Sequence, residues 1–190
     1  MSDPASEAIL EATRASVLDF GIRRTALSDI ARRAGVSRMT VYRRYPGADA
    51  LLRELMTREF GALMEEIAAE VDGEHARQRL VGRLTASVAR LREHPLFRKV
   101  LEAEPELLMS YVVERMGGTQ RHALALIEHD VAAGQADGSV RDGDPRAIAQ
   151  AMLLLTQSFV FSGHIAEGVS DQALMAEFQH LADSAMRPAP

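Results

Sequence analysis

The sequence predicts an all-α protein, and three observations carry that prediction. Apolar residues recur at helical spacing in one segment after another, as at Leu80, Leu84, Val88 and Leu91. No stretch keeps the apolar–polar alternation of a half-buried strand. Glycines, prolines and capping hydroxyls fall where one periodic segment gives way to the next. The expected architecture is a three-helix N-terminal domain, residues 1–47, and a larger helical domain, residues 48–190, with about nine helices in all.

In order, residues 5 to 20 form a first helix with Ile9, Ala12, Val17 and Phe20 as its buried stripe, and Gly21 ends it. A second, short helix begins at Thr25 or Ser28 and turns Ile30 and Ala31 inward. Gly35 stands where a helix stops in a left-handed conformation, which glycine adopts without a Cβ penalty. Val36 plugs the corner, and the Ser37 hydroxyl caps a third helix. That helix carries Arg38, Met39, Thr40, Tyr42, Arg43 and Arg44, with Val41 and Tyr45, four apart, as its inward pair. Pro46-Gly47 breaks the chain again. Two short helices about a glycine corner, the second with buried anchors and exposed arginines, have the form of a helix-turn-helix suited to a DNA major groove.

The same spacing also occurs in all-α proteins that touch no nucleic acid, where arginine-rich faces are simply solvated. Charge favours the first reading. Residues 21 to 45 hold seven arginines against one acid, Asp29, a balance of +6; the whole chain is −5, so the remainder carries −11. A basic island on an acidic protein is an electrostatic footprint for phosphate. Arg32 and Arg33 are expected to face solvent or flank a DNA backbone.

Beyond the break, Leu51, Leu52, Leu55, Leu63, Ile67 and Val71 keep helical spacing from Ala48 to about Asp72, and Gly73 closes that helix. Another runs over residues 75 to 93 and stops at His94-Pro95, because proline disfavours a helical predecessor. Pro95 and Pro105 each suit the first position of a short helix, where the missing N–H costs nothing. Gly117-Gly118 interrupts, Thr119 caps a helix to about Ala133, and residues 134 to 144 read as a turn-rich surface loop. Pro145 opens a strongly apolar helix over residues 145–162. Ser170 caps a last one over 171–186, with Leu174, Phe178 and Leu181 on one face.

Composition narrows the function. A chain of 190 residues, 47% hydrophobic and 26% charged, is ordinary for a soluble globular protein. The absence of Cys excludes disulfide and thiolate chemistry and suits a reducing compartment. The N-terminus lacks the apolar run of a signal peptide, and the longest apolar stretch, near Ala151 to Leu155, is too short to span a membrane. A cytoplasmic protein without a membrane partner is therefore expected. No Gly-rich phosphate loop, nucleophile elbow or paired metal motif occurs. His122 and His129 lie seven apart, two helical turns, so one metal ion could not readily take both. Neither catalysis nor a cofactor or metal is expected.

The first 52 residues resemble the tetracycline-repressor (TetR) family of bacterial transcriptional regulators. The likeness rests on Gly21, Thr25, Asp29-Ile30-Ala31, Ala34-Gly35-Val36-Ser37, Thr40-Val41-Tyr42, Tyr45 and Leu51-Leu52. The run from Gly134 to Pro145 is similar to the loop before the penultimate helix of that family. The resemblance implies that Thr25 contacts a phosphate while capping its helix. It implies that Ser37, Arg38, Met39 and Thr40 open the recognition helix and that the Tyr42 hydroxyl touches the DNA backbone. Arg43 and Arg44 match positions at the groove or its rim, where arginine holds guanine or phosphate. Two departures stand out: Ala48 occupies a position that is often a phosphate-binding lysine, and Met39 one that is frequently glycine or proline.

For residues 48–190 the resemblance implies a ligand-binding and dimerisation domain whose last two long helices pack against their symmetry mates. The helix at 145–162 suits that role, since Ala147, Ala151, Leu154, Leu155, Ser158 and Phe159 put apolar groups on more than one face. Met64, Phe97, Met109, Met116 and Met152 are candidates for an adaptable apolar pocket, with Tyr111, His122, Thr156 and Gln157 as its polar groups. Each methionine serves equally as ordinary core. The expected function is a ligand-responsive regulator, a homodimeric repressor on a palindromic DNA operator released by a small molecule. The alternative is a helical small-molecule-binding or scaffold protein that does not use its helix-turn-helix on DNA.

Overall fold

In a computed structural model of the chain, residues 3–21, 25–103 and 116–189 are described. Among them are nine α-helices: α1 (Pro4–Phe20), α2 (Leu27–Arg33), α3 (Arg38–Arg44), α4 (Ala48–Glu70), α5 (Ala76–Glu93), α6 (Pro95–Ala103), α7 (Gly118–Ala136), α8 (Pro145–Ser162) and α9 (Asp171–Met186). No strand occurs among the described residues. Arg23, Arg24, Pro105, Met109 and Tyr111 lie outside them. The chain divides into two compact units, Met1–Phe60 with Glu93–Gly118, and Gly61–Arg92 with Thr119–Pro190.

In the first unit α1 packs on α2, α2 on α3, and α6 on α1. Pro4 opens α1 behind an Asp3 cap whose carboxylate accepts from the Ala5 N–H at 3.1 Å, and Gly21 ends it at φ 79°. Ile9, Ala12 and Val17 are buried as expected, but Phe20 is 57% exposed. The Arg33 guanidinium, held by Asp19 at 2.8 Å, lies 5.4 Å from the Phe20 ring centroid, a cation–π contact at the surface. Ile9, Val17, Ile30, Val41 and Leu55 are at most 1% exposed and form the centre of the unit. Each contributes about 1.5–3 kcal/mol of transfer free energy. The Phe60 ring meets Phe97 edge-on at 6.1 Å and His94 at 5.4 Å, so α6 enters the same core.

The second unit contains a joint the local sequence does not announce. The carboxylate of Asp137 accepts from the Ala76 N–H at 2.9 Å, and the Ser139 hydroxyl from that of Arg77 at 3.1 Å. The turn after α7 thus caps the start of α5. Hydrogen bonds from the Ser139 side chain first, then from the Ala76 and Ser139 backbone, lower the Asp137 carboxyl to about 2.

The expected boundaries shift here. Helix α7 starts at Gly118, not after a Thr119 cap, and runs through Gly134 to Ala136. Gly134 is buried against Val140, whose Cγ2 would lie 2.3 Å from a Cβ at that position. The helix stops instead at Asp137-Gly138, where Gly138 takes φ 75°. Helix α8 starts at Pro145 behind an Asp144 cap, and α9 behind Ser170, as the sequence indicates. Phe178 of α9 packs 4.9 Å from Phe159 of α8, whereas Leu181 is 47% exposed.

Candidate nucleic-acid interface

The corner between α2 and α3 is built by backbone hydrogen bonds. Gly35 takes φ 65°, its N–H donates to Arg32 O at 3.3 Å, and the Val36 N–H donates to Ala31 O at 3.0 Å. This paired pattern satisfies the last carbonyls of α2, and only an achiral residue adopts that φ without strain. Ser37 then caps α3: its Oγ accepts from the Thr40 N–H at 3.1 Å and lies 2.8 Å from Thr40 Oγ1. Val41 and Tyr45, at 0% and 3% exposure, fasten α3 to the core. The Tyr45 hydroxyl donates to Glu54 Oε1 at 3.1 Å; burial first, then the Glu54 charge, raises its pKa above the ordinary phenol value.

With its inner side fixed, α3 turns four side chains outward. Met39 is 75% and Tyr42 54% exposed, and Arg38 and Arg43 are exposed with no ion-pair or hydrogen-bond partner among the described residues. Arg38 and Tyr42 stand four apart, as do Met39 and Arg43, so the four occupy adjoining turns. Beside Arg38 a cleft of about 390 Å³ is lined by Ser28, Asp29, Ala31, Arg32, Val36 and Arg38. Such a helix can offer guanidinium donors to phosphate or guanine, a phenol hydroxyl to the backbone and a thioether to a thymine methyl.

The remaining sequence-derived residues sit differently. Neither Thr25 nor Ser28 begins α2; Ala26 is its cap and has no side-chain acceptor, and the Thr25 hydroxyl donates to Gly21 O at 2.7 Å. Arg44 is held by residues at the start of α1. Its Nη1 donates to Ser6 Oγ at 3.1 Å and its Nη2 pairs with the Asp3 carboxylate. Arg32 pairs with Asp29 and Arg33 with Asp19. Asp3, Ser6 and Asp19 carry no signal in the local pattern, since each meets its arginine across another helix.

Helices α1 and α4 are tied by charge in the same unit. Arg14 meets Glu59 at 2.8 Å, and Arg58 meets Glu7 and Glu59 at 2.8 Å. Burial raises the Glu59 carboxyl, but the hydrogen bonds and charges of Arg58 and Arg14 outweigh it and hold the group below the usual carboxylate value.

The pocket candidates are divided between the units. Phe97 and Met116 belong to the first, and Met64, His122, Met152, Thr156 and Gln157 to the second. Phe97 is 3% exposed against Phe60, and His122 is exposed. Thr156 is buried, with its hydroxyl donating to Met152 O at 2.8 Å. The stretch Pro145–Ile165 is long and apolar enough by composition to cross a membrane, which the shorter run at 151–155 did not suggest. Its inner side, Ile148, Ala149, Met152, Leu153 and Val160, is protein core, while Ala147, Ala151, Leu154 and Ser158 are exposed.

Comparison with known proteins agrees with this geometry. Residues 9–55 match the family described as bacterial regulatory proteins, tetR family. An uncharacterised HTH-type transcriptional regulator of Mycobacterium bovis is 37% identical over 168 residues, covering 88% of this chain and 86% of that one. The structure of the transcriptional repressor QsdR from the TetR family, of R. erythropolis, superposes with a TM-score of 0.74 at 12% identity, covering 100% of both chains. The regulator FadR from Bacillus subtilis, in complex with stearoyl-CoA, superposes with a TM-score of 0.65 at 17% identity, covering 95% of this chain and 99% of that one.

Proposed function

The chain belongs to the tetR family of bacterial regulatory proteins, a transcriptional regulator with a DNA-binding helix-turn-helix, and from that premise we propose that it is a cytoplasmic homodimeric repressor of a palindromic operator, released by a small molecule. Residues 1–47 are the DNA-binding part and 48–190 the ligand-binding and dimerisation part. The observation that carries this reading is the outward set on α3, Arg38, Met39, Tyr42 and Arg43, held away from the core by Val41 and Tyr45. Arg38 and Arg43 meet phosphate or guanine, Tyr42 the backbone, and Met39 a base methyl. When Ser37 donates to Thr40 Oγ1, the Thr40 hydroxyl hydrogen is left for a phosphate oxygen. Thr25 reaches phosphate only by giving up Gly21 O.

Dimerisation uses the exposed side of α8 (Ala147, Ala151, Leu154 and Ser158) together with Leu181 of α9. A second copy covers that apolar strip and sets two recognition helices at half-sites about one DNA turn apart. The effector is an apolar small molecule that binds the 48–190 part, with Met64, Met152, Thr156 and Gln157 as candidates in the second unit. It releases DNA by binding the wrongly spaced dimer more tightly than the DNA-binding one. Selection from a pool of random duplexes tests the reading. An inverted repeat should be enriched, and addition of effector should release it. A pool that stays random would favour a helical binding protein whose helix-turn-helix is idle.

A further inference from the structure

Among the arginines of α3, Arg44 is set apart from Arg38 and Arg43. Its side chain is 25% exposed, and both of its terminal nitrogens are engaged by the first residues of the chain. Asp3 does two things there. One carboxylate oxygen caps α1 at the Ala5 N–H, and the other meets the Arg44 guanidinium. Ser6, one turn along α1, accepts from the second nitrogen. Next to Arg44, Tyr45 is buried and bonded to Glu54 of α4. The end of α3 is therefore gripped on one side by α1 and on the other by α4, whereas its start is held by the Ser37 cap and the corner with α2.

We propose that Arg44 is a positioning residue. Together with Asp3 and Ser6 it sets the direction in which α3 leaves the core, and it does not contact DNA. The proposal rests on the DNA-binding reading above and assigns one of its arginines a different part. To reach a phosphate, Arg44 would exchange a charge-assisted pair and a second hydrogen bond, both already made, for contacts of the same kind. Arg38 and Arg43 have no such contact among the described residues to give up. Charge count alone would treat all three arginines as equal contributors to the phosphate footprint; the hydrogen bonds divide them.

The two roles predict opposite signs. Asp3→Asn keeps a capping oxygen for α1 but removes the charge that holds Arg44. If Arg44 positions α3, Asp3→Asn and Arg44→Gln should each weaken binding by about two- to fivefold per subunit, the range expected for an exposed ion pair. The double variant should bind no more weakly than Arg44→Gln alone. Preference for the selected duplex over a scrambled one should fall, because a misdirected helix loses base contacts first. The salt slope should stay with the parent, and the thermal midpoint should fall by no more than a few degrees. If Arg44 holds phosphate, Asp3→Asn should bind more tightly. Arg44→Gln should then lower the salt slope by about one per subunit with discrimination intact. Either of those results overturns the proposal. The probe is the duplex enriched by the unmodified protein. Failure to enrich any duplex would overturn the DNA-binding reading and this proposal with it, an outcome distinct from a parent that binds and variants that bind equally well, which would overturn the proposal alone.

Discussion

Helices α3 and α8 each have one side in protein and one side in water, and they differ in what the water side carries. Helix α3 is seven residues long and keeps its place through one buried residue of its own, Val41, and the flanking Tyr45. Outward it presents two arginines, a tyrosine and a methionine. Helix α8 is eighteen residues long, buries six side chains and presents alanines, Leu154 and Ser158. Cations with directional donors on a slender, well-anchored helix suit a charged, patterned surface such as a duplex. Small apolar groups along a long helix suit a second copy of the same surface, where close approach and loss of water supply the free energy. For both helices the proposed partner follows from the exposed side and not from the buried one.

The largest expected effect breaks the α8 side. Leu154→Glu places a charge in the proposed two-fold interface, once in each subunit, and should weaken self-association by about 100-fold or more. Sedimentation velocity would then find monomer at concentrations where the parent is dimeric, and operator binding should fall with it. An unchanged sedimentation profile would remove α8 from the interface. Next, Val41→Ala should cost about 2 kcal/mol of unfolding free energy in denaturant titration, by cavity formation under α3. Arg43→Ala, on the opposite side, should leave the unfolding transition where it is and lose roughly 1–3 kcal/mol of operator affinity in fluorescence anisotropy. If instead Arg43→Ala unfolds the protein and Val41→Ala spares it, the inside and outside of α3 have been assigned the wrong way round.

Smaller effects sharpen the same contrast. Tyr42→Phe removes a hydroxyl that meets no protein group among the described residues and should reduce operator affinity by about 0.5–1.5 kcal/mol without altering stability. The smallest effect concerns the second unit alone. Asp137 has its carboxyl pKa lowered from 3.8 to about 2, so its stabilising contribution is complete above the unfolded value and is lost as pH falls through the folded one. Unfolding curves of parent and Asp137→Ala should therefore differ at neutral pH and draw together in acid. Parallel curves throughout would mean that the carboxylate does not cap α5.

Much of the helix-turn-helix is legible in the residues themselves. The Gly35 corner, the Ser37 cap and the inward pair Val41 and Tyr45 depend on contacts within about four residues, and local spacing reports such contacts faithfully. The starts of α8 and α9 are legible for the same reason. Phe20, Gly134 and Arg44 are not. Phe20 lies in register with the buried stripe of α1, yet it is exposed and its neighbour is Arg33 from another helix. Gly134 resembles a stop signal, but Val140 packs against its missing side chain and the helix continues. Arg44 resembles its neighbours on α3 until Asp3, 41 residues away in the chain, is brought beside it.

The all-α class, the corner at residues 33 to 37 and the inward side of α3 need no more than periodicity and hydrogen bonds closed within a turn of chain. Which arginines of that helix are held and which have no partner among the described residues, and the capping of α5 by a turn 61 residues away, are settled only when the helices pack together. Those outcomes depend on which charges and N–H groups folding brings together, and no spacing along one helix encodes the position of another.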